Sequence, residues 1–300
     1  FCVAEIKYAL KGPLTVTGRI KRLSAVYILL MACVSYLVIA VLAFLGRVFD
    51  SDLYSLFQFL PFALMPLLLP WLLVSANFLD SLYEEPRNRK FVKRAGQVLD
   101  ESKILRVAIV GSYGKTSVKN ILQSMLSVRF ATIATPASYN TPVGVAKAVT
   151  GPDFEGKEVF IAEMGARRAG DIAELCALVK PDYAVFTGVC AQHVETFGSE
   201  ENVLLAKCEI LKGTARKVIC GGGLREKILP VSPEILPLSD KEKCVYADFD
   251  ALLSEVELRA DATSFTLRLP GKKEIRAETC LLGRHSAENI ALAALLAAEM

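Results

Sequence analysis

The run Gly111-Ser112-Tyr113-Gly114-Lys115-Thr116-Ser117 constrains the fold of this chain more than any other stretch. The apolar segment Arg106–Val110 leads into it, and a helical pattern at about 115–127 follows it. Glycines in such a turn let backbone N–H groups close around phosphate oxygens. Lys115 adds positive charge for the β- and γ-phosphates, and the Thr116 hydroxyl is placed to ligate Mg²⁺. The spacing is GxxGK[ST], shorter than the common GxxxxGK[ST], because Ile109 stands where the first glycine would be. A chance glycine-rich turn is the alternative, and the strand before, the helix after and the lysine–threonine pair argue against it.

The rest of the soluble half repeats this alternation. Further strands are expected at Ala131–Ala134, Val159–Ala162, Tyr183–Thr187 and Lys217–Cys220. Helical patterns lie at about 142–149, 169–179, 200–212 and 286–300. Such alternation predicts an α/β domain with a mainly parallel sheet covered on both faces, whose ligands gather at the carboxyl ends of the strands. Glu163 directly follows the third apolar run and is placed to hold a magnesium ion, although a surface glutamate at a strand end is common. After the fourth strand, His193 precedes a helix containing Lys207. At about 100° per residue, Lys207 falls on the face of Val203, Leu204, Ile210 and Leu211, with Glu201, Glu209 and Lys212 opposite. A lysine centred on an apolar stripe must be paired, neutral or modified, unless it snorkels to the surface. His285 and Asn289, four apart at the start of the last helical run, share a face, which by itself could be helix capping.

The first hundred residues are of another kind. The chain is 53% hydrophobic with mean hydropathy +0.39, and the excess lies in residues 24–46 and 53–79, which carry no formal charge. At about 1.5 Å per residue each run can cross a hydrocarbon core of about 30 Å. A signal peptide would have a shorter apolar region and a small-residue cleavage site after it. A two-helix transmembrane hairpin is therefore expected, its second helix kinked or re-entrant because of Pro61, Pro66 and Pro70. Lys7, Lys11, Arg19, Lys21 and Arg22 precede the first run, and Arg87, Arg89, Lys90, Lys93 and Arg94 follow the second. The connection holds Arg47 against Asp50 and Asp52, so both ends are expected on the cytoplasmic side. The expected division is 1–97 as membrane anchor, with lipid as a partner, and 98–300 as nucleotide-binding domain.

Net charge of +3 without a basic, aromatic-interleaved stripe argues against nucleic acid. Eight cysteines with no CxxC pair fit free thiols in a reducing compartment, and two histidines leave little for a zinc site. The chain begins at Phe1 and stops at Met300 inside an apolar helical run, and is expected to be a fragment or an incomplete gene model.

Six motifs in order resemble the Mur ligases over about residues 104–300: Gly111–Ser117, Tyr139–Gly144, Ala162–Gly165, His193–Gly198, Ala206-Lys207 and Gly283–Asn289. Within that family the resemblance is to the branch that joins D-alanyl-D-alanine to a nucleotide-linked muramoyl tripeptide. It implies a P-loop central domain that binds Mg²⁺–ATP, with Gly111, Ser112, Gly114, Lys115, Thr116 and Ser117 around the phosphates. Thr116 and Glu163 would ligate one magnesium, and His193 a second. Lys207 matches a lysine carbamylated by CO₂ whose carbamate helps hold the metals. His285 and Asn289 would lie near the adenine, and Asn140 on a loop facing the phosphates or the substrate.

Lys115, Lys207 and His193 are thus the implied catalytic set, and the implied activity is peptide bond formation through an acyl phosphate in peptidoglycan precursor synthesis. Where the family has a UDP-gripping N-terminal domain the membrane segment and a basic linker are expected, and the family's C-terminal domain is expected to be absent. Two other readings stay open: a Mur-like ligase making a poly-glutamate or folyl-glutamate type amide, and a membrane-attached P-loop ATPase.

Overall fold

A computed structural model describes residues 16–49, 60–136, 139–190, 194–235 and 243–300. The chain forms two compact units, residues 1–89 and 90–300. In the first, helix α1 (Gly18–Phe49) is uncharged from Leu23 to Gly46, and among the described residues it is the one helix long and apolar enough to cross a membrane. Residues 53–59 of the second apolar run lie outside the described residues. From Leu60 that run enters α2 (Leu60–Glu101), a single helix with Pro66, Pro70 and Pro86 inside it. Pro66 and Pro70, where the sequence suggests a kinked or re-entrant segment, lie inside this helix. Arg22 lies 3.3 Å from Asp80 and also pairs with Glu84, and Arg19 lies 3.3 Å from Glu84. These ion pairs clasp the start of α1 to the middle of α2.

The second unit is built on a six-stranded parallel sheet of order β2-β3-β1-β4-β5-β6. Its strands are β1 (Leu105–Val110), β2 (Thr132–Ala134), β3 (Val159–Glu163), β4 (Tyr183–Phe186), β5 (Lys217–Cys220) and β6 (Cys244–Tyr246). Strands β3 and β4 are buried throughout, as expected of a sheet covered on both sides. Alternate residues feed two cores. Ala108, Val110, Phe160, Ala162, Ala184 and Phe186 face one of them, and Val107, Ile109, Val159, Ile161 and Val185 face the other.

The first core is closed by the end of α2 (Ala95 and Leu99, both fully buried), α4 (Pro142–Val149), α5 (Asp171–Val179), α7 (Glu200–Gly213) and α8 (Leu224–Ile235). The second is closed by α3 (Lys115–Leu126) and α10 (Arg284–Glu299), which pack on each other. A one-turn helix, α6 (Val194–Phe197), lies just before α7. Caps set two of the starts. Thr141 accepts from Gly144 N–H with Pro142 in the first turn of α4, and Ser199 accepts from Asn202 N–H at 3.1 Å to open α7.

Every strand and helix expected from the alternation is present to within a few residues. Beyond them come α8, β6, the short α9 (Phe249–Leu252) and a three-stranded antiparallel sheet, β7 (Leu253–Leu258), β8 (Thr263–Leu267) and β9 (Ile275–Thr279). Phe265 and Leu267 of this small sheet are buried in the second core.

The strand order fixes where a ligand can sit. The chain leaves β1 toward β3 and β2, then returns across β1 to form β4 and runs outward to β6. Connections therefore diverge between β1 and β4, and the crevice at their carboxyl ends is the switch point of the sheet.

Candidate active site

The glycine loop occupies that crevice. Gly111 has φ 151°, and a Cβ there would come within 2.0 Å of Thr187 Oγ1, so no side chain fits. Gly114, at φ 73°, adopts the left-handed conformation that turns the loop into α3. The loop is stitched to the end of β4: Ser112 N–H donates to Gly188 O at 2.8 Å, and the Thr187 hydroxyl donates to Val110 O at 3.3 Å and to Tyr113 O.

On the other side of β1, the loop meets β3. The Thr116 hydroxyl donates to Glu163 Oε2 at 3.0 Å, joining the two residues expected to share a magnesium ion. Glu163 N–H donates to Thr135 Oγ1 at 3.0 Å, which fixes the end of the strand. Lys119 Nζ lies 3.1 Å from the same carboxylate oxygen, with both side chains almost fully buried. The sequence reading missed Lys119. The signal was there: Lys119, Leu122 and Leu126 form a buried stripe on α3, the pattern that singled out Lys207 on α7.

Lys115 and Lys207 converge on one atom. Their Nζ atoms lie 2.7 Å and 3.3 Å from Gly111 O. Lys207 is only 4% exposed, so it does not snorkel. Burial pushes its pKa down to about 8, the charge of Lys115 pushes the same way, and Cys190 opposes them. Burial also lowers the pKa of Lys115, against the pull of Glu163 and Cys190.

Asn140 O accepts from Gly165 N–H at 2.9 Å, and Asn140 lines a cleft of about 370 Å³ together with Gly111, Lys115 and Lys207. Asn289 of α10 abuts the loop: a Cβ on Gly114 would lie 2.7 Å from its Oδ1. His285 is exposed at the start of α10, beside Gly283, and Ser117 is exposed in the first turn of α3. His193 lies outside the described residues.

These groups fit nucleotide phosphates and a hard cation. The loop has no room for a Cβ at Gly111 or Gly114, and two lysines reach Gly111 O. Among the described residues no three His, Cys, Asp or Glu side chains cluster to cage a metal. A hydroxyl and one carboxylate suit Mg²⁺, which keeps waters and phosphate oxygens for most of its shell.

A strand, a glycine turn and a helix carrying a lysine–threonine pair at the switch point of a parallel sheet define a P-loop α/β domain. Residues 109–298 match the model of the Mur ligase middle domain, and the chain belongs to the Mur ligase family. The UDP-N-acetylmuramoyl-tripeptide–D-alanyl-D-alanine ligase of Escherichia coli is 30% identical over 199 residues, covering 63% of this chain and 42% of that protein. Among solved structures, the MurF ligase from Thermotoga maritima in complex with ADP superposes with TM-score 0.62 at 23% identity, over 71% of this chain and 49% of that one. The UDP-N-acetylmuramoylalanyl-D-glutamyl-2,6-diaminopimelate–D-alanyl-D-alanyl ligase from Acinetobacter baumannii gives TM-score 0.61 at 21% identity, over 71% and 47%. At these identities the two structures show the shared fold. The chain spans less than half the length of each of these relatives.

Two consequences can be measured. Lys119→Met leaves Glu163 buried without its cation and should cost about 3–5 kcal/mol, read as a lower denaturation midpoint; adding Glu163→Gln should recover part of the loss. Lys207 binds its proton less tightly folded than unfolded, so below pH about 8 its burial lowers stability, and the deficit is relieved as pH rises toward 10.5. Labelling of Lys207 by an amine-reactive reagent, followed by peptide mass spectrometry, should accordingly rise through pH 8 rather than through 10.5.

Proposed function

We propose that this chain holds the ATP-binding part of a membrane-anchored ligase that joins D-alanyl-D-alanine to UDP-N-acetylmuramoyl-tripeptide in peptidoglycan precursor synthesis. The observation that carries the reading is the meeting of Lys115 and Lys207 on Gly111 O, beside the Thr116–Glu163 pair. A P-loop needs only one lysine. A second, buried lysine held mostly neutral above pH about 8 is what a carbamylated site requires.

In this reading ATP is a substrate. The N–H groups of Gly111 to Lys115 receive its phosphates, and Lys115 exchanges its carbonyl partners for phosphate oxygens. Thr116 and Glu163 would hold one Mg²⁺, and His193 with a carbamate on Lys207 would hold a second; metals bound there would supply neutralisation of phosphate charge during transfer. Asn289 and His285 lie toward the adenine end, with Asn289 against the loop. Asn140 lines the cleft where the other substrate enters. The substrate carboxylate attacks the γ-phosphate, giving an acyl phosphate and ADP. The incoming amine displaces phosphate and forms the amide. The protein contributes position and charge.

Carbamylation is balanced as Lys207–NH₂ + CO₂ → Lys207–NH–COO⁻ + H⁺, and only the neutral amine reacts. With a pKa of about 8, about a tenth of Lys207 is neutral at pH 7.

The anchor is supported by the exposed apolar side chains of α1 and α2, among them Ile28, Leu37, Phe44, Leu67, Trp71 and Phe78. The Arg19 and Arg22 pairs with Asp80 and Glu84 bring the starting end of one apolar run beside the finishing end of the other. Both flanks then lie on one side, the cytoplasmic face, where ATP is available.

ADP release by the full-length protein should require Mg²⁺–ATP, the muramoyl tripeptide and D-alanyl-D-alanine together. Lys207→Ala should lower it by about 100-fold or more, with partial recovery on adding short carboxylic acids. Release indifferent to the amine would indicate an ATPase, and release driven by glutamate a different amide ligase. The full-length protein should stay in the membrane pellet after alkaline carbonate, and deletion of residues 1–97 should move it to the supernatant.

A further inference from the structure

The cleft beside the two lysines is lined by a cation that has no side-chain partner among the described residues. Arg167 and Arg168 lie on the loop between β3 and α5 and line the cleft whose floor is Gly111, Lys115 and Lys207. The loop is tightly held. Asp171 Oδ2 accepts the N–H groups of Arg167 and Arg168 at 2.8 and 3.1 Å, and its Oδ1 takes Arg168 Nε at 3.1 Å. Glu209 accepts the N–H groups of Gly170 and Ala173 at 2.7 and 2.8 Å. Glu209 and Lys207 belong to the same helix, α7, so one element positions both the floor and the rim of the cleft. Arg168 is neutralised by Asp171. The Arg167 guanidinium has no hydrogen bond or ion pair among the described residues.

A guanidinium in that position offers a planar donor fork to an oxyanion that arrives with the ligand. A cleft of about 370 Å³ is at the small end for a ligand site. It can take the reacting end of a peptide, but not a nucleotide-linked sugar as well. We propose that Arg167 binds a second carboxylate of the carboxyl substrate, the one that is not activated, and thereby aligns the reacting carboxyl with Lys115.

This subsite rests on the ligase reading given above. The peptide named for the Acinetobacter relative has carboxylates to spare: a glutamyl residue joined through one carboxyl keeps the other, and 2,6-diaminopimelate carries two.

The test is titration of UDP-N-acetylmuramoyl-tripeptide into the full-length protein and its Arg167→Gln and Arg167→Lys variants, alongside KM measurements. Arg167→Gln should weaken tripeptide binding by about 10-fold or more, the size of one charge-assisted hydrogen bond. Arg167→Lys should lose less, and the KM for ATP should stay within about twofold in both. A tripeptide with its spare carboxylates amidated should bind the wild type as weakly as the natural one binds Arg167→Gln, with no further loss when the two changes are combined.

Equal binding by wild type and Arg167→Gln overturns the subsite. So does a loss that multiplies with amidation, or one seen equally with UDP alone, which would assign Arg167 to the diphosphate. Binding that depends on Arg167 without ADP release would leave the subsite standing and overturn the ligase. No binding by the wild type would overturn both.

Discussion

Gly111 O accepts two lysine side chains at once, and the arrangement holds only because everything around it is fixed. The glycine's Cα is pressed against Thr187, so β1 and β4 set its place; Lys115 comes from the helix it opens, and Lys207 from α7 on the far side of the crevice. Two ammonium groups near one carbonyl repel each other, and burial removes the water that would screen them. The chain relieves this by letting Lys207 lose its proton far more readily than an ordinary lysine does. Lys207, beside the glycine loop, therefore gives up its proton near pH 8 rather than near 10.5.

On the opposite side of β1 the charge problem has the other sign. Glu163 is buried at the end of a strand and is met by a threonine hydroxyl and the Lys119 ammonium on one of its two oxygens. A buried carboxylate is costly unless it is paired and hydrogen-bonded, and both partners are supplied here. Lys115, Thr116 and Lys119 all come from one helix, so one strand–turn–helix delivers the lysine at Gly111 O, the hydroxyl on Glu163 and the cation that holds the carboxylate. Few contacts between distant elements are then needed to complete the site.

Much of this was legible in the residues. The apolar runs of β1, β3 and β4 alternate with amphipathic helices at a period that leaves one arrangement, a parallel sheet with ligands at its carboxyl ends. Lys207 stood out because a lysine interrupts an apolar stripe. The antiparallel strands β7 to β9 were not read, because β7 and β9 are half-exposed at many positions and carry charged residues, and their pairing with β8 depends on partners five to sixteen residues away. The prolines of α2 lie within one continuous helix, since proline removes one hydrogen bond but leaves the remaining turns in place.

The sequence by itself determined the glycine loop and the alternation of strands and helices up to β5, and set out Lys115, Thr116, Glu163 and Lys207 as candidates, because backbone periodicity and glycine freedom are local properties. Which of those residues meet was decided by tertiary structure. Lys207 lies 92 residues beyond Lys115 in the chain, and Glu163 lies 47 beyond Thr116. The order in which the strands pair brings them to one crevice, and no local pattern encodes that pairing. The protonation of Lys207 and the pairing of Glu163 with Lys119 follow from it, since both depend on how much water the packed elements exclude.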